Sequence, residues 1–254
     1  MYRSHLLHRF NLMGQSHRSD ETMLEDALRS LILQYIVDEG REIRDEGGLR
    51  KLPAMDELCR QLGISRGKLR EELIAAEACG VVEMRPGDGT YVRPFDFYTP
   101  IRTLLLYSVA LDRKNFYRYY ELRTQLAAAF WMDATRKLTL EDKEELQRIV
   151  ERAERRLGGD PVEIPHKEHR DFHLLTFAKL GNEFVLGLLR AYWDAYEAVG
   201  LHLYFDYSYY EAMWSSHGAM AEAIVAGQYD RGREVLIQHF TLLSDRLRGS
   251  SGTN

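Results

Sequence analysis

Four histidines in the second half of the chain stand at spacings that suit the binding of one metal ion. His169 and His173 are four residues apart, so on a helix they share one face and can bind the same ion. His217 and His239 have apolar residues three and four positions away, which predicts that both point into a helical core. A lone histidine in a core is usually a packed, hydrogen-bonded residue and not a metal ligand. Several that converge from different helices need a shared partner, which a divalent cation supplies.

Arg123 is a second residue whose type and setting indicate chemistry. Its neighbours Leu122, Leu126 and Phe130 make the surrounding segment apolar. A guanidinium beside a metal suits a small carboxylate, which it binds through paired hydrogen bonds. The alternative is a surface ion pair with a nearby glutamate.

A third set of residues forms the basic segment RQLGISRGKLR, residues 60 to 70, which holds no acid although acids flank it on both sides. A basic segment at the start of a second helix is typical of a recognition helix in the major groove of DNA. There arginine can bind guanine edges, while Ser65 and the first helical amides can hold a phosphate. The alternative is a set of solvated surface charges. The basic residues are Arg60, Arg66, Lys68 and Arg70.

The elements around this segment predict a winged helix-turn-helix. Apolar residues recur with helical period from Met23, and Gly40 can end that helix. A short helix from Pro53 to Gly63 and a third, capped by Ser65 and ended by Gly80, follow. Residues 81 to 94, VVEMRPGDGTYVRP, are β-branched and broken by glycines, which predicts a two-stranded hairpin as the wing.

The rest of the chain predicts an all-α bundle, so the fold class is mainly α. Two prolines mark residues 94–100, PFDFYTP, as a linker. Breaks near Asp112, at 137–140, at 158–165, at Gly181, within 206–215 and at Gly227 predict six or seven helices. The predicted domains are a flexible extension (1–20), the winged helix-turn-helix (21–93), the linker (94–100), a helical effector-binding domain (101–248) and a disordered tail (249–254).

Composition limits the class of protein. The net charge of −5 excludes a general nucleic-acid coat, so any contact with DNA comes from a local patch. Two separate cysteines, Cys59 and Cys79, favour a reducing compartment, and both are expected to be small buried residues. No apolar run approaches the roughly 20 residues of a membrane helix, and the first twenty residues lack a signal-peptide core. We expect a cytoplasmic, nucleoid-associated protein with no membrane partner.

The N-terminal segment resembles the DNA-binding domain of the GntR family of bacterial transcription regulators. The resemblance rests on Leu52-Pro53, Ser65-Arg66, Leu69-Arg70-Glu71, Gly80 and the glycines of the wing. It implies that Arg66 and Arg70 contact bases, that Ser65 and Gly67 lie near the DNA backbone beside Lys68, and that Gly87 approaches the minor groove. Family members often have basic residues where Asp56 and Asp88 stand, which implies weaker binding or a different operator.

The helical region resembles the FCD effector domain of the FadR branch of that family. The resemblance rests on YELRTQLAAAFWMDAT (120–135), HRDFHLLTFAKLGN (169–182) and SSHGAMAEAIVAGQYDRGREVLIQHF (215–240). Metal-binding members use one Asp and three His. The three His correspond to His173, His217 and His239, and His169 stands at the Asp position. An all-imidazole site favours Zn²⁺ first, with Ni²⁺ or Cu²⁺ next, over Mn²⁺ or Mg²⁺.

The resemblance also assigns the effector-binding residues and the function. It places Arg123 in the effector pocket, and Asn182 either shapes that pocket or caps a helix. We expect a homodimeric regulator, a repressor by the family's usual outcome, that binds double-stranded operator DNA and senses a small organic acid beside the metal. A metal sensor whose signal is the ion itself is the main alternative. A metal-dependent enzyme is less favoured, since HExxH is absent and no acid stands as an evident general base.

His166 and the tyrosine-rich segment at residues 203–214 are not assigned to the metal or effector site. His166 is expected to be solvated and outside the metal site. The tyrosine-rich segment at residues 203–214 is expected to pack in the core, with a wider pocket or a dimer contact as alternatives.

Overall fold

The computed structural model describes residues 28–40, 49–200 and 206–250, and the chain divides into two compact units at Pro100. The first unit contains α1 (Leu31–Gly40), β1 (Arg50–Lys51), α2 (Met55–Leu62), α3 (Arg66–Ala78), β2 (Val82–Arg85) and β3 (Gly89–Val92). Then follow α4 (Tyr98–Leu111), α5 (Lys114–Thr135), α6 (Leu140–Leu157), α7 (His166–Phe177), α8 (Glu183–Ala198), α9 (Tyr207–Val225) and α10 (Tyr229–Ser250). The predicted class, a winged helix-turn-helix followed by a helical bundle, is confirmed.

The first helix begins later than the sequence pattern predicts. Met23 to Ala27 lie outside the described residues, and residues 28–30 are not helical. α1 begins at Leu31 because the Ser30 hydroxyl accepts a hydrogen bond from the Leu33 amide at 3.3 Å, and Arg29 adopts a positive φ of 51° just before it. The apolar spacing alone did not reveal this start.

The turn between α2 and α3 has the residues that the helix-turn-helix requires. Gly63 ends α2 in the left-handed conformation at φ 68°, which favours glycine. Ser65 caps α3 by accepting from the Lys68 amide at 3.2 Å. Both roles match the sequence prediction and place the first residues of α3 on the exposed side of the unit.

The wing is a three-stranded antiparallel sheet with strand order β1-β3-β2. The hairpin of β2 and β3 was predicted, with Arg85 opposite Gly89 at its end. β1 was missed, because two basic residues show no strand periodicity. Its partner is β3, with Arg50 opposite Val92 and Lys51 opposite Tyr91.

The core of the helical unit brings α5, α6, α7, α9 and α10 together. Large buried side chains fill it, among them Trp131, Phe172 and Met220. α10 approaches α5 closely at Gly232, where a Cβ atom would lie 2.8 Å from the Trp131 ring. The Trp131 indole also donates to the Tyr229 carbonyl at 2.9 Å, so the first turn of α10 is held against α5.

Several boundaries differ from the sequence expectations. No break occurs within 207–215, because Asp206 caps α9 by accepting from the Tyr209 amide at 2.9 Å and the helix continues to Val225. α4 begins at Tyr98, inside the predicted linker, and α10 reaches Ser250, inside the predicted tail. Residues 1–20 and 251–254 lie outside the described residues.

The cysteines also differ from expectation. Cys59 is half-buried, and Cys79 is exposed because it caps the end of α3. As for membrane spans, no helix within the described ranges is long and apolar enough to cross a bilayer.

A buried carboxylate ties α3 to the start of α1. Glu72, on the inner face of α3, accepts hydrogen bonds from the Ile32 amide at 2.9 Å and from the Ser30 hydroxyl at 3.1 Å. The apolar side chains around it include Ile32, Leu69 and Leu73. This bond orders the first described helix against the helix whose outer face carries the basic residues.

We expect Glu72→Gln to lower the free energy of unfolding of the first unit by about 1–3 kcal/mol, because a buried acceptor loses its charge and part of its bonding. Urea unfolding followed by circular dichroism measures the change. The exposed neighbour Glu71→Gln is the matched control and should change it by less than about 0.5 kcal/mol. Equal effects of the two substitutions would contradict this role.

Candidate DNA-reading surface and metal centre

Four imidazoles from three helices meet inside the helical unit. His169 and His173 lie on α7, His217 on α9 and His239 on α10. None is more than 7% exposed, and their ligand-capable atoms all lie within 4.8 Å of one another. The spacing argument therefore identified a real cluster, while its role as a metal site stays a prediction.

Hydrogen bonding orients one member of the cluster. The Nδ1 atom of His217 lies 2.7 Å from the Met213 carbonyl oxygen, which can only accept, so Nδ1 carries the proton. The lone pair of His217 Nε2 then points to the centre, 3.2 Å from His173 Nε2. A backbone carbonyl that holds the outer nitrogen is the usual support of a metal-binding imidazole.

Several buried polar atoms around the cluster have no hydrogen-bond partner. His169 Nε2 and His239 Nδ1 are among them, and so is the indole nitrogen of Trp214. A buried polar group without a partner costs about 1–3 kcal/mol. An ion or ligand in the centre would remove that cost, so the donor set fits a metal that accepts imidazole nitrogen.

Burial keeps the four rings neutral. It lowers the pKa of His217 to about 3, although the Met213 carbonyl partly opposes the shift. Burial also lowers the pKa of His169, His173 and His239 well below the usual range, and the neighbouring rings and Arg123 add to the effect. Neutral imidazole is the form that binds a metal.

Arg123 is buried near the cluster, which excludes the surface ion pair that the sequence left open. Only 4% of it is exposed, and its guanidinium carbon lies 4.4 Å from the Tyr192 ring centre, 4.6 Å from Phe240 and 5.4 Å from Trp193. Within the described part of the chain, no carboxylate forms an ion pair with it. Burial lowers its pKa, so a buried cation faces three aromatic rings without an anion.

The aromatic groups around the cluster were not predicted as functional residues. The His169 ring lies 4.7 Å from Trp193, and the His217 ring lies 4.7 Å from Trp214. Trp214 could have been noticed, since it precedes His217 by three residues and shares its helix face. Trp193 and Tyr192 come from α8, and no local spacing relates α8 to the histidines.

Other predicted residues take structural roles. Asn182 caps α8, since its side-chain oxygen accepts from the Val185 amide at 3.2 Å, which is one of the two roles left open. His166 is half-buried and lies 6.1 Å from the Tyr210 ring, so the expectation of a solvated residue is wrong, although it does lie outside the cluster. Tyr209 and Tyr210 pack in the core as expected, and residues 203–205 lie outside the described residues.

The predicted DNA-contact residues are all exposed in the first unit. They lie at the start of α3 and at the tip of the wing, where Gly87 has φ 76°. Leu69, between them in sequence, is fully buried and fixes which side of α3 faces out. The exposed residues are Ser65, Arg66, Gly67, Lys68, Arg70 and Gly87.

The two acids that depart from the family pattern both pair with basic residues of the first unit, one on α3 and one on β1. Arg66 Nε donates to Asp56 at 2.6 Å, and Lys51 Nζ donates to Asp88 at 3.0 Å. These bonds raise the pKa of Arg66 and lower the pKa of Asp88. Arg70 has no ion pair among the described residues and stays open to a phosphate or a base.

Comparisons with known proteins agree with both halves of the chain. The family model described as "Bacterial regulatory proteins, gntR family" matches residues 47–92, and the model described as "FCD domain" matches residues 118–242. The putative L-lactate dehydrogenase operon regulatory protein of Escherichia coli (strain K12) is 28% identical over 227 residues, 84% of this chain and 85% of that protein. The HTH-type transcriptional regulator LutR of Bacillus subtilis (strain 168) is 25% identical over 206 residues, 78% of this chain and 92% of LutR.

A solved structure supports the same fold. The Streptococcus agalactiae GntR structure aligns with a TM-score of 0.61 and 20% identity, covering 86% of this chain and 96% of that one. The two family models together match more than half of the chain. The chain belongs to the GntR family of bacterial transcription regulators, with an FCD domain after the DNA-binding domain. It is a DNA-binding regulator and not an enzyme, as predicted.

The neutral histidines predict how stability depends on pH. In the unfolded chain imidazoles take up protons near pH 6.5, whereas the four buried rings stay neutral well below that pH. Between pH 7 and 5 the unfolded state therefore binds more protons, so the free energy of unfolding of the metal-free chain falls as pH falls. Each ring contributes about 1.4 kcal/mol per pH unit below 6.5.

Urea unfolding at a series of pH values measures this slope on chelator-treated protein. His166→Gln, which changes a histidine outside the cluster, should keep most of it. A free energy of unfolding that is flat between pH 7 and 5 would show that the four rings are not held neutral.

Proposed function

We propose that this regulator binds operator DNA as a homodimer, most simply as a repressor, and senses a small carboxylate in a metal-containing pocket. Residues 21–93 read DNA and residues 101–248 bind the effector. The observation that carries the proposal is a buried cluster of four neutral imidazoles, two with unpartnered nitrogens, near an arginine that forms no ion pair with a described carboxylate.

The four histidines would hold the metal. Imidazole nitrogen suits Zn²⁺ best, with Ni²⁺ as the second choice, and the cluster contains no carboxylate that would favour Mn²⁺ or Mg²⁺. When bound, the ion would supply a positive centre that attracts an anionic effector. The chain's own contribution is to hold the rings neutral and oriented, as the Met213 carbonyl does for His217.

Arg123 would bind the carboxylate of the effector. Its five N–H donors match a carboxylate in a forked arrangement, and a bound anion would compensate the buried charge. The name of the E. coli relative refers to an L-lactate dehydrogenase operon, which supports a small organic acid as the class of effector. Asn182 supports this pocket only indirectly, through the start of α8.

A homodimer would place two recognition helices in successive major-groove turns of a near-palindromic operator. An exposed apolar stripe on α4 supports self-association. Leu104, Tyr107 and Leu111 recur with helical spacing, and each is more than 60% exposed. The effector would then change operator affinity by favouring one arrangement of the two DNA-binding units.

A metal sensor is the second candidate, and the cluster itself favours it. Four protein nitrogens are as many ligands as a closed structural zinc site uses, so the ion alone could satisfy the cluster. Arg123 argues for an additional anion, because a metal does not compensate a buried guanidinium. Measuring operator binding with metal alone, and then with metal and carboxylates, separates the two.

The metal proposal predicts that His173→Ala loses most of the bound metal, since the variant removes one of four ligands, the one whose Nε2 lies 3.2 Å from His217 Nε2. Metal analysis of the purified protein measures the content, and thermal unfolding measures stabilisation by small organic acids with and without chelator. His166→Ala is the control and should keep the metal. If wild-type protein takes up no metal, or His173→Ala keeps both metal and ligand stabilisation, the proposed site is wrong.

The DNA proposal predicts that Arg66→Ala with Arg70→Ala weakens specific binding by about a hundredfold or more, since each good base contact contributes about 1–3 kcal/mol. The probe is a duplex selected from a random library by the wild-type protein, and sedimentation of the complex counts the copies bound. Arg60→Ala, an exposed residue on α2 paired with Glu57, is the control. Full retention by the double variant would disprove the assigned base contacts, and one copy per site would disprove the dimer.

A further inference from the structure

Once the proposed metal is bound, the histidine cluster and the neighbouring Arg123 together carry only positive charge. The four imidazoles are neutral ligands, and Arg123 adds a buried cation. No carboxylate among the described residues joins the four ligand atoms. The phenols next to Arg123 do not compensate, because burial raises the pKa of Tyr192 to about 12 and also raises that of Tyr196.

Most acids on the surrounding helices pair with basic residues or are exposed. On α7, Asp171 lies 3.4 Å from Lys167, and the buried Glu168 lies 3.3 Å from Arg156 through Oε1, while its Oε2 has no hydrogen-bond partner. On α8, Asp194 pairs with Arg102 at 2.6 Å. The remaining acids with described side chains on α5, α8, α9 and α10 are exposed. Among the described residues, Glu168 is thus the one buried carboxylate of these helices, it already pairs with Arg156, and none joins the four histidines to balance a divalent ion and a guanidinium.

We infer that the effector is a dianion, a small dicarboxylate, rather than a monocarboxylate such as lactate. The inference rests on the proposed function and narrows its effector. Uncompensated charge in a buried site is costly, and a ligand that brings two negative charges offsets more of it than a ligand that brings one. One carboxylate would pair with Arg123 and the other with the positive centre held by the histidines.

Isosteric pairs that differ by one charge test the inference directly. Oxalate and oxamate form one pair, and succinate and succinamate form a longer one. Calorimetric titration of the Zn²⁺-loaded full chain measures each dissociation constant, and metal analysis after titration confirms that the ligand has not removed the ion. We expect the dianion of at least one pair to bind about tenfold or more tightly than its monoamide, which is about 1.4 kcal/mol.

A charge swap within the cluster provides the second arm. His169→Asp places a carboxylate among the four ligands and lowers the charge of the cluster by one. The preference for the dianion over its monoamide should therefore fall by about tenfold. Lys167→Gln is the matched control, since it lowers the net charge by the same amount at a position whose side chain is 81% exposed. Its affinity ratio should equal that of the wild type.

The outcomes separate the two proposals. If the wild-type chain binds no metal under loading, the proposed metal pocket fails and the dianion inference fails with it. If metal binds but both members of each pair bind equally, or only monocarboxylates bind, the inference fails and the metal pocket stands. The comparison of isosteres needs no variant, so it decides the question even if His169→Asp does not fold.

Discussion

The helical unit depends on the burial of four imidazoles and one guanidinium in a core that otherwise consists of apolar and aromatic side chains. These groups are almost fully buried, so each ring stays neutral and each nitrogen needs a hydrogen-bond or metal partner. The Met213 carbonyl satisfies one nitrogen of His217, while other nitrogens remain unsatisfied. Under the proposed function, a bound metal or effector would supply the missing partners and so stabilise one arrangement of the surrounding helices.

In the DNA-binding unit, by contrast, the charged residues discussed lie mainly on the surface. Leu69 and Glu72 fix the inner face of α3, and the outer face carries the basic residues. Asp56 holds one edge of the Arg66 guanidinium and leaves the other edge outside this pair. Exposed pairs of this kind add little to stability, but they restrict the directions in which an arginine can donate.

Features set by local sequence patterns could be predicted, whereas most features set by tertiary contacts could not. Helix geometry relates His169 to His173 through their four-residue spacing, and apolar neighbours predicted that His217 and His239 point inward. Grouping all four in one site also used the resemblance to the FCD domain. The caps at Ser65 and Gly63 were equally local. The aromatic surroundings of Arg123, the exposure of Cys79, the strand β1 and the position of His166 depend on packing between distant segments, which no short window of sequence contains. The start of α9 was misplaced because the Asp206 cap was not recognised.

The three tryptophans of the chain are all in the helical unit, and the DNA-binding unit has none. Trp193 and Trp214 lie against the histidine cluster, and Trp131 anchors the start of the helix that carries His239. Intrinsic indole fluorescence of the unlabelled protein therefore reports on the helical unit alone. Events around the histidine cluster can be followed optically while DNA is present, and a change at the recognition helix becomes visible only if it reaches these indoles.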